Sequence, residues 1–284
     1  MLEYPLVSVL VPAYNHQKYV TKTLTSILED NYPNKEIVVI NDGSTDNTDK
    51  VIKEWIAINK DKINISYSFR KNKGVTKTLN ELVDKSLGEY VTVIASDDYL
   101  LPDSIMTRYN YLKSNPNKLA VFADCIVVDG DSNKTYESGL ADLHYAKKDR
   151  YLTDNGLKRE IILGWSVPGG TLIVKKELYT EIQYDERYLI EDLDFFLKMV
   201  SKNILGFIDV KVSAYRVHGK NACMMSNYWV KVQKDIVQSY FNNMKYFGLR
   251  DKLLIVLPML NALKPLVVFW LKKVLGLKRQ QNSE

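Results

Sequence analysis

Tyr90-Val91-Thr92-Val93-Ile94-Ala95-Ser96-Asp97-Asp98 is the stretch that decides the fold. Tyr90–Ala95 is apolar and rich in β-branched residues, the pattern of a strand buried on both faces in a parallel sheet. The two carboxylates at its carboxyl end repel each other and lose solvation together. A shared divalent cation would make the pair tolerable. The plainer alternative is a helix N-cap.

Upstream of this strand the chain alternates strand and helix. Leu6–Val11 is a short strand closed by Pro12, and Val20, Leu24, Ile27 and Leu28 then recur at helical spacing up to Asn31-Tyr32-Pro33. Glu36–Ile40 is the second strand, and Asn41-Asp42-Gly43-Ser44 turns into a helix whose apolar face is Val51, Ile52, Trp55 and Ile56. Ile63, Ile65, Tyr67 and Phe69 alternate as a third strand, and Leu79, Leu82 and Val83 mark the next helix. This order predicts right-handed crossovers and an α/β fold with a Rossmann-like, mostly parallel central sheet flanked by helices. The strand ends at Pro12-Ala13-Tyr14-Asn15, Asp42, Arg70-Lys71-Asn72 and Asp97-Asp98 then converge on one edge, where such sheets bind ligands. No Gly-x-Gly-x-x-Gly or Walker sequence follows any strand, which disfavours a dinucleotide enzyme or a P-loop kinase.

The middle of the chain is less regular. Leu119–Val128 reads as a strand, followed by a hairpin turn at Asp129–Asn133 into Thr135-Tyr136-Glu137. A glycine-rich loop spans Gly164–Gly170, Thr171–Val174 is a strand, and a helix opens at Ile190-Glu191-Asp192. Ile204–Val210 and Ser213–Val217 read as two further strands.

Composition narrows the function classes. The chain has 284 residues, 46% hydrophobic and 26% charged, so it is globular. Its net charge of +5 suits an anionic ligand or membrane surface, but no basic block interleaves with aromatics, so no nucleic-acid partner is expected. Cys125 and Cys223 are far apart in apolar settings, as buried free thiols of a reducing compartment would be. No charged and apolar leader pattern precedes Pro5 and the first strand, so no signal peptide and a cytoplasmic location are expected.

Val7-Ser8-Val9-Leu10-Val11-Pro12-Ala13-Tyr14-Asn15, Val38-Val39-Ile40-Asn41-Asp42-Gly43-Ser44-Thr45-Asp46 and Ser96-Asp97-Asp98 together resemble the family-2 inverting glycosyltransferases of GT-A fold. Asn72-Lys73-Gly74, Glu191-Asp192 and Tyr215-Arg216-Val217-His218 extend the likeness over about residues 5–220. The resemblance implies a glycosyltransferase domain over residues 1–220, with a nucleotide-binding half (1–100) and an acceptor-binding half (101–220). Residues 221–284 form a helical, apolar and basic tail. It further implies that Mn2+ or Mg2+ stabilises the departing diphosphate. Asp97, Asp98 and His218 are the candidate metal ligands. Many relatives carry another Asp at the position of Ala95, and its replacement here leaves open how Asp97 and Asp98 divide metal and ribose.

By the same likeness, Pro12, Ala13, Tyr14, Asp42, Arg70, Asn72, Asp97 and Arg216 are donor-site residues. Asp42 would meet the nucleobase, Tyr14 would stack on it, and Arg70 and Arg216 would meet phosphate. Each has a structural alternative: turn residue, packing, or solvated charge. Asp192 is the candidate general base, with helix-start dipoles favouring its ionised form. Trp165, Gly170 and Glu191 are candidates for the acceptor side; for Trp165, packing is an equal account.

Leu253–Leu271 is strongly apolar but interrupted by Pro258, Asn261, Lys264 and Pro265 and flanked by Lys252, Lys272, Lys273, Lys278 and Arg279. A pair of interfacial helices on an anionic membrane, involving residues 250–280 with Trp270 at the headgroups, fits this pattern better than a span. A hairpin packed on the domain, or a homodimer contact, is the alternative. The expected activity is inverting transfer of a single sugar from a nucleotide sugar, UDP preferred over GDP or dTDP, to a lipid-linked glycan acceptor. The setting would be the inner face of the cell membrane, in O-antigen, capsule or other cell-surface polysaccharide synthesis. A sugar nucleotidyltransferase and a catalytically silent binding subunit are the alternatives. The Gln-x-x-Arg-Trp of processive relatives is absent.

Overall fold

The computed structural model describes residues 4–219 and 229–274, with side chains as far as residue 271. Cys223, Lys278 and Arg279 lie outside the described residues, as do the side chains of Lys272 and Lys273.

The amino-terminal half follows the order read from its periodicity: β1 (Val7–Ala13), α1 (Val20–Glu29), β2 (Lys35–Asn41), α2 (Thr48–Asn59), β3 (Asn64–Phe69), α3 (Val75–Lys85) and β4 (Tyr90–Val93). β1 pairs in parallel with both β2 and β4, and β2 with β3. Alternate residues explain the layering. Val7, Val9 and Val11 of β1 face α1 and α2, meeting Val20, Leu24, Ile27, Ile52 and Trp55. Leu10 faces the other side, where Leu79, Leu82 and Val83 of α3 cover the sheet. Helices on both faces make the near-continuous apolar strands affordable.

The second half mixes directions. After β5 (Tyr99–Leu100) come α4 (Ser104–Ser114), β6 (Ala120–Val128), β7 (Lys134–Tyr136), α5 (Asp154–Gly164), β8 (Ile173–Lys175), α6 (Glu191–Ser201) and β9 (Leu205–Arg216). The sheet order is β3-β2-β1-β4-β8-β6-β9-β5, with β7 beside β6, and most paired residues lie in parallel ladders. β8 runs antiparallel to both β4 and β6, so β6 and its parallel neighbour β9 point the same way as β1–β4. The carboxyl end of β9 therefore reaches the same edge as those of the first four strands.

Three readings change. The two expected strands after residue 204 are one, β9, whose register against β6 shifts twice around Asp124 and leaves Asp209, Val210 and Lys211 exposed. That exposed stretch is what broke the apolar pattern. Helices α4 and α5 have no counterpart in the periodicity. α4 turns Ser104 and the fully buried Arg108 inward, so its inner face does not read as apolar. The tail is no helix pair: α7 (Trp229–Asn243) precedes one 26-residue helix, α8 (Leu249–Val274), with Pro258 and Pro265 inside it. Ile255, Ala262 and Leu266 are buried along one face of α8 on either side of the prolines, which holds both parts to a common line. α8 packs on α5 and α7, with Lys158 and Asp251 paired at 3.0 Å.

Candidate active site

The loops after β1 and β2 are stitched together by side chains. Asn15, in the left-handed region at φ 56°, accepts the Thr45 amide through Oδ1 at 2.8 Å, and its own amide donates to Ser44 Oγ at 2.9 Å. The His16 amide donates to Thr48 Oγ1 at 2.8 Å. These bonds fix the turn that carries Tyr14 and His16. Tyr14 is 46% exposed at the sheet edge, the form a base-stacking ring would need. Pro12 and Ala13 close β1 beneath it.

Asp42 is 4% exposed and tied into the loop after β3. Its Oδ1 accepts the Arg70 guanidinium and the Lys73 amide at 2.8 Å, and Oδ2 accepts the Gly74 amide at 2.9 Å. Arg70 also donates to Glu81 at 2.8 Å and Thr78 at 2.9 Å, so its charge is met by two carboxylates. Asn72 is exposed in the same loop. Its backbone closes on Gly43, where a Cβ would lie 2.7 Å from the Asn72 nitrogen; with φ 77° as well, only glycine fits there.

After β4 the aspartates part. Asp98 is 2% exposed, and its Oδ1 accepts the Arg216 amide at 2.7 Å. Burial, and then the neighbouring Asp97 charge, push its carboxyl well above the ordinary range. Arg216 is 1% exposed and donates to the carbonyls of Asp97 and Asp129, at 2.7 and 2.9 Å, and to Ser132 Oγ at 2.9 Å. It is a strut under the site, with the Tyr19 ring 4.7 Å from its guanidinium carbon.

Asp97 faces the other way, toward two imidazoles. His218 Nε2 lies 3.0 Å from Asp97 Oδ2, and His16 Nε2 lies 3.6 Å from the same oxygen. One ligand atom from each of His16, Asp97 and His218 falls within 4.8 Å of the others, a cluster able to hold a metal ion. His16 Nδ1 meets Ser96 Oγ at 2.8 Å, an outer contact that orients the ring. Burial lowers the His16 pKa, opposed by Asp97, which favours the neutral, ligand-competent imidazole. Tyr19 stacks on His218 at 5.1 Å. Of the expected metal ligands, Asp97 and His218 come together here, and Asp98 turns away. His16 was missed. Its one sequence signal is its place directly after Tyr14-Asn15 at the end of β1.

The loop before β8 approaches from the other half. A Cβ at Gly169 would lie 3.9 Å from Asp98 Oδ2, and Gly170 is buried at φ 76° against Ile94. Trp165 packs on the core cluster, and its buried indole N–H has no partner among the described residues. Glu191 and Asp192 begin α6, both half-buried. Burial outweighs the helix-start dipoles at Asp192: its carboxyl is pushed up to about 7, and that of Glu191 to about 8, in part by Asp192. The ionised form is thus not favoured at the helix start, contrary to the dipole argument alone.

The family model described as "Glycosyl transferase family 2" matches residues 8–171. Glycosyltransferase GlyA of Streptococcus pneumoniae is 28% identical over 227 residues, 76% of this chain but 31% of its own length. Thus the chain spans about a third of that relative. Residues 1–349 of S. aureus TarS, solved with UDP-GlcNAc, superpose with a TM-score of 0.67 at 21% identity over 90% of this chain and 72% of that fragment. A mannosyltransferase from Pyrobaculum calidifontis, solved with GDP-Man and Mn2+, gives 0.65 at 18% over 92% and 69%. These likenesses establish the α/β, GT-A-like fold, and the family match over more than half of the sequence carries the assignment: the chain belongs to glycosyl transferase family 2.

Proposed function

We propose that the protein is a metal-dependent, inverting hexosyltransferase that moves one sugar from a nucleotide donor to a glycan acceptor. The observation that carries this reading is the Asp97 carboxylate set between His16 and His218 at the carboxyl edge of the sheet. Two imidazoles and one carboxylate suit Mn2+ better than Mg2+, which prefers oxygen ligands throughout. A divalent ion held there would offset the charge that develops on the departing diphosphate. Asp97 takes the ligand role between the two aspartates, and Asp98, buried on the Arg216 amide, braces the turn.

On the donor side, Tyr14 offers its exposed ring to the base, Pro12 and Asn72 line the approach, and Ala13 lies buried beneath it. Asp42 and Arg70 fix the loop that covers it, and Arg216 holds the Asp97 turn from below. UDP is the proposed nucleotide, supported by the family and by the UDP-GlcNAc complex of TarS. On the acceptor side, Asp192 takes the proton from the attacking hydroxyl, and a carboxyl near 7 is well matched to that task. Glu191, Trp165 and Gly170 shape the acceptor pocket around it. The acceptor is a lipid-linked saccharide and the setting the inner face of the cell membrane, in O-antigen or capsule synthesis; the apolar α8 supports this placement.

A donor-hydrolysis panel over UDP-, GDP- and dTDP-sugars, with Mn2+, Mg2+ or EDTA, tests the reading. Turnover of a UDP-sugar with Mn2+ that EDTA abolishes is expected. No donor bound or turned over with either metal present would overturn it.

A further inference from the structure

α8 is apolar on two opposite faces, and among the described residues one of them is buried against the domain while the other is exposed. At about 100° per residue, Ile255, Ala262 and Leu266 fall on one side, buried against the domain. Leu249, Leu253, Leu257, Leu260, Val267, Val268 and Leu271 fall within an arc of about 100° on the other, each between 48% and 78% exposed. From Leu249 to Leu271 that stripe runs about 33 Å. It is an uncommonly large apolar surface to leave in water.

Three occupants are conceivable, and the residues separate them. By length and composition, Leu249–Leu271 could cross a bilayer. Crossing would strip Ile255, Ala262 and Leu266 from the core and break the Lys158–Asp251 pair, so the packed face argues against a span. A second copy could pack stripe against stripe. Leu253, Leu257, Leu260, Lys264, Val267 and Leu271 even follow alternating steps of four and three. Yet the exposed Lys264 sits in the middle of that seam, where a symmetric pairing sets one ammonium against or close to its copy. At a bilayer surface the same lysine extends its stem along the apolar layer and places its charge among phosphates. Arg250 and Lys245, both exposed, add cations at the amino-terminal end of the helix.

We infer that the outer face of α8, Leu253-Leu257-Leu260-Val267-Leu271 with Lys264 at its centre, lies flat in the interface of an anionic bilayer while the inner face stays docked on the domain. This deepens the lipid-linked reading proposed above and rests on it for the acceptor, not for the surface. It also has a consequence for the active site. The membrane-seated helix packs on α5, and α5 runs directly into the Trp165–Gly170 loop beside Asp98. A lipid-anchored acceptor would thus be presented within one helix of the reacting groups.

The test is co-sedimentation of the full chain with vesicles of phosphatidylcholine alone or with phosphatidylglycerol added. Wild type is expected to pellet with the anionic vesicles. Leu257→Glu/Leu260→Glu should lower the bound fraction at least tenfold and Lys264→Glu severalfold, with the melting temperature and donor hydrolysis of each variant unchanged. Donor hydrolysis is read separately, so its absence in wild type would count against the glycosyltransferase reading and leave the surface assignment standing. Equal pelleting of wild type and the double variant would overturn the inference. So would a wild-type dimer, by light scattering, that the double variant dissociates without any vesicle binding by either.

Discussion

His218 and Asp97 meet at 3.0 Å, imidazole Nε2 to carboxylate Oδ2, although 121 residues separate them in the chain. β9 delivers one and β4 the other, because the two strands point the same way in the sheet. His16 arrives at the same oxygen from β1. If this cluster holds the metal, removing each member weakens metal binding in a graded way. Asp97→Asn should abolish metal-dependent donor turnover. His218→Ala and His16→Ala should each shift the Mn2+ titration to about 10- to 100-fold higher concentration. Calorimetric Mn2+ titration with UDP present checks this; unchanged Mn2+ affinity in both histidine variants would place the ion elsewhere.

Asp192 makes a prediction in two opposed directions. A base with its carboxyl near 7 is ionised only above that pH, so kcat/KM should rise through about pH 7 and level off beyond it. The stability sign is the reverse. The folded state holds a proton that the unfolded chain has released, so this group costs stability as pH rises from about 4 to about 7. Asp192→Asn should therefore remove transfer while leaving donor binding intact, and it should stabilise the fold at pH 8 by roughly 1–2 kcal/mol after allowance for partial exposure. Melting curves at pH 5 and pH 8 beside kinetic assays read both. Undiminished transfer by Asp192→Asn would assign the base elsewhere.

What the sequence disclosed and what it hid follow from the same physics. β1, β2 and β4 are short continuous apolar runs, β3 alternates, and α1–α3 are apolar at a period near 3.6, so the parallel half and its loaded edge were legible. Polar residues doing structural work were not. Arg216 and Arg70 looked like free cations for phosphate, yet backbone carbonyls and carboxylates already occupy them, and only tertiary contacts reveal that. His16 gave no spacing signal because its partners come from strands far along the chain. The prolines in α8 suggested a break, but burial on one common face carried the helix through both.

Asp42 holds the donor-side loop through two backbone amides and Arg70 together. Asp42→Ala leaves those donors and the Arg70 charge without their acceptor, at a cost of about 2–4 kcal/mol in stability. The Arg70–Gly74 loop should then loosen, and the donor KM should rise by about tenfold or more while kcat at saturation changes little. Urea unfolding and steady-state kinetics measure the two. A kcat loss at unchanged KM would mean that Asp42 serves the chemical step and not the loop.

Asp235, on α7, accepts the Leu189 amide at 2.7 Å, three residues before Asp192. The same approach is braced twice more: Asn242 donates to the Tyr188 hydroxyl at 2.8 Å, and Thr76 of α3 donates to the Tyr188 carbonyl at 3.0 Å. Asp235 is 3% exposed and so is fixed in its own right. It acts as a positioning residue, setting where α6 begins and thus where the Asp192 carboxylate stands. A shift of about 1 Å at a reacting group is enough to lower a rate by orders of magnitude. Asp235→Ala should lower kcat by about tenfold or more with donor KM unchanged, and Asp235→Asn, which keeps an acceptor for the Leu189 amide, should recover most of it. If the two variants lose the same activity in proportion to their loss of melting temperature, Asp235 is only a packing residue and the base is positioned by the Thr76 and Asn242 contacts to Tyr188.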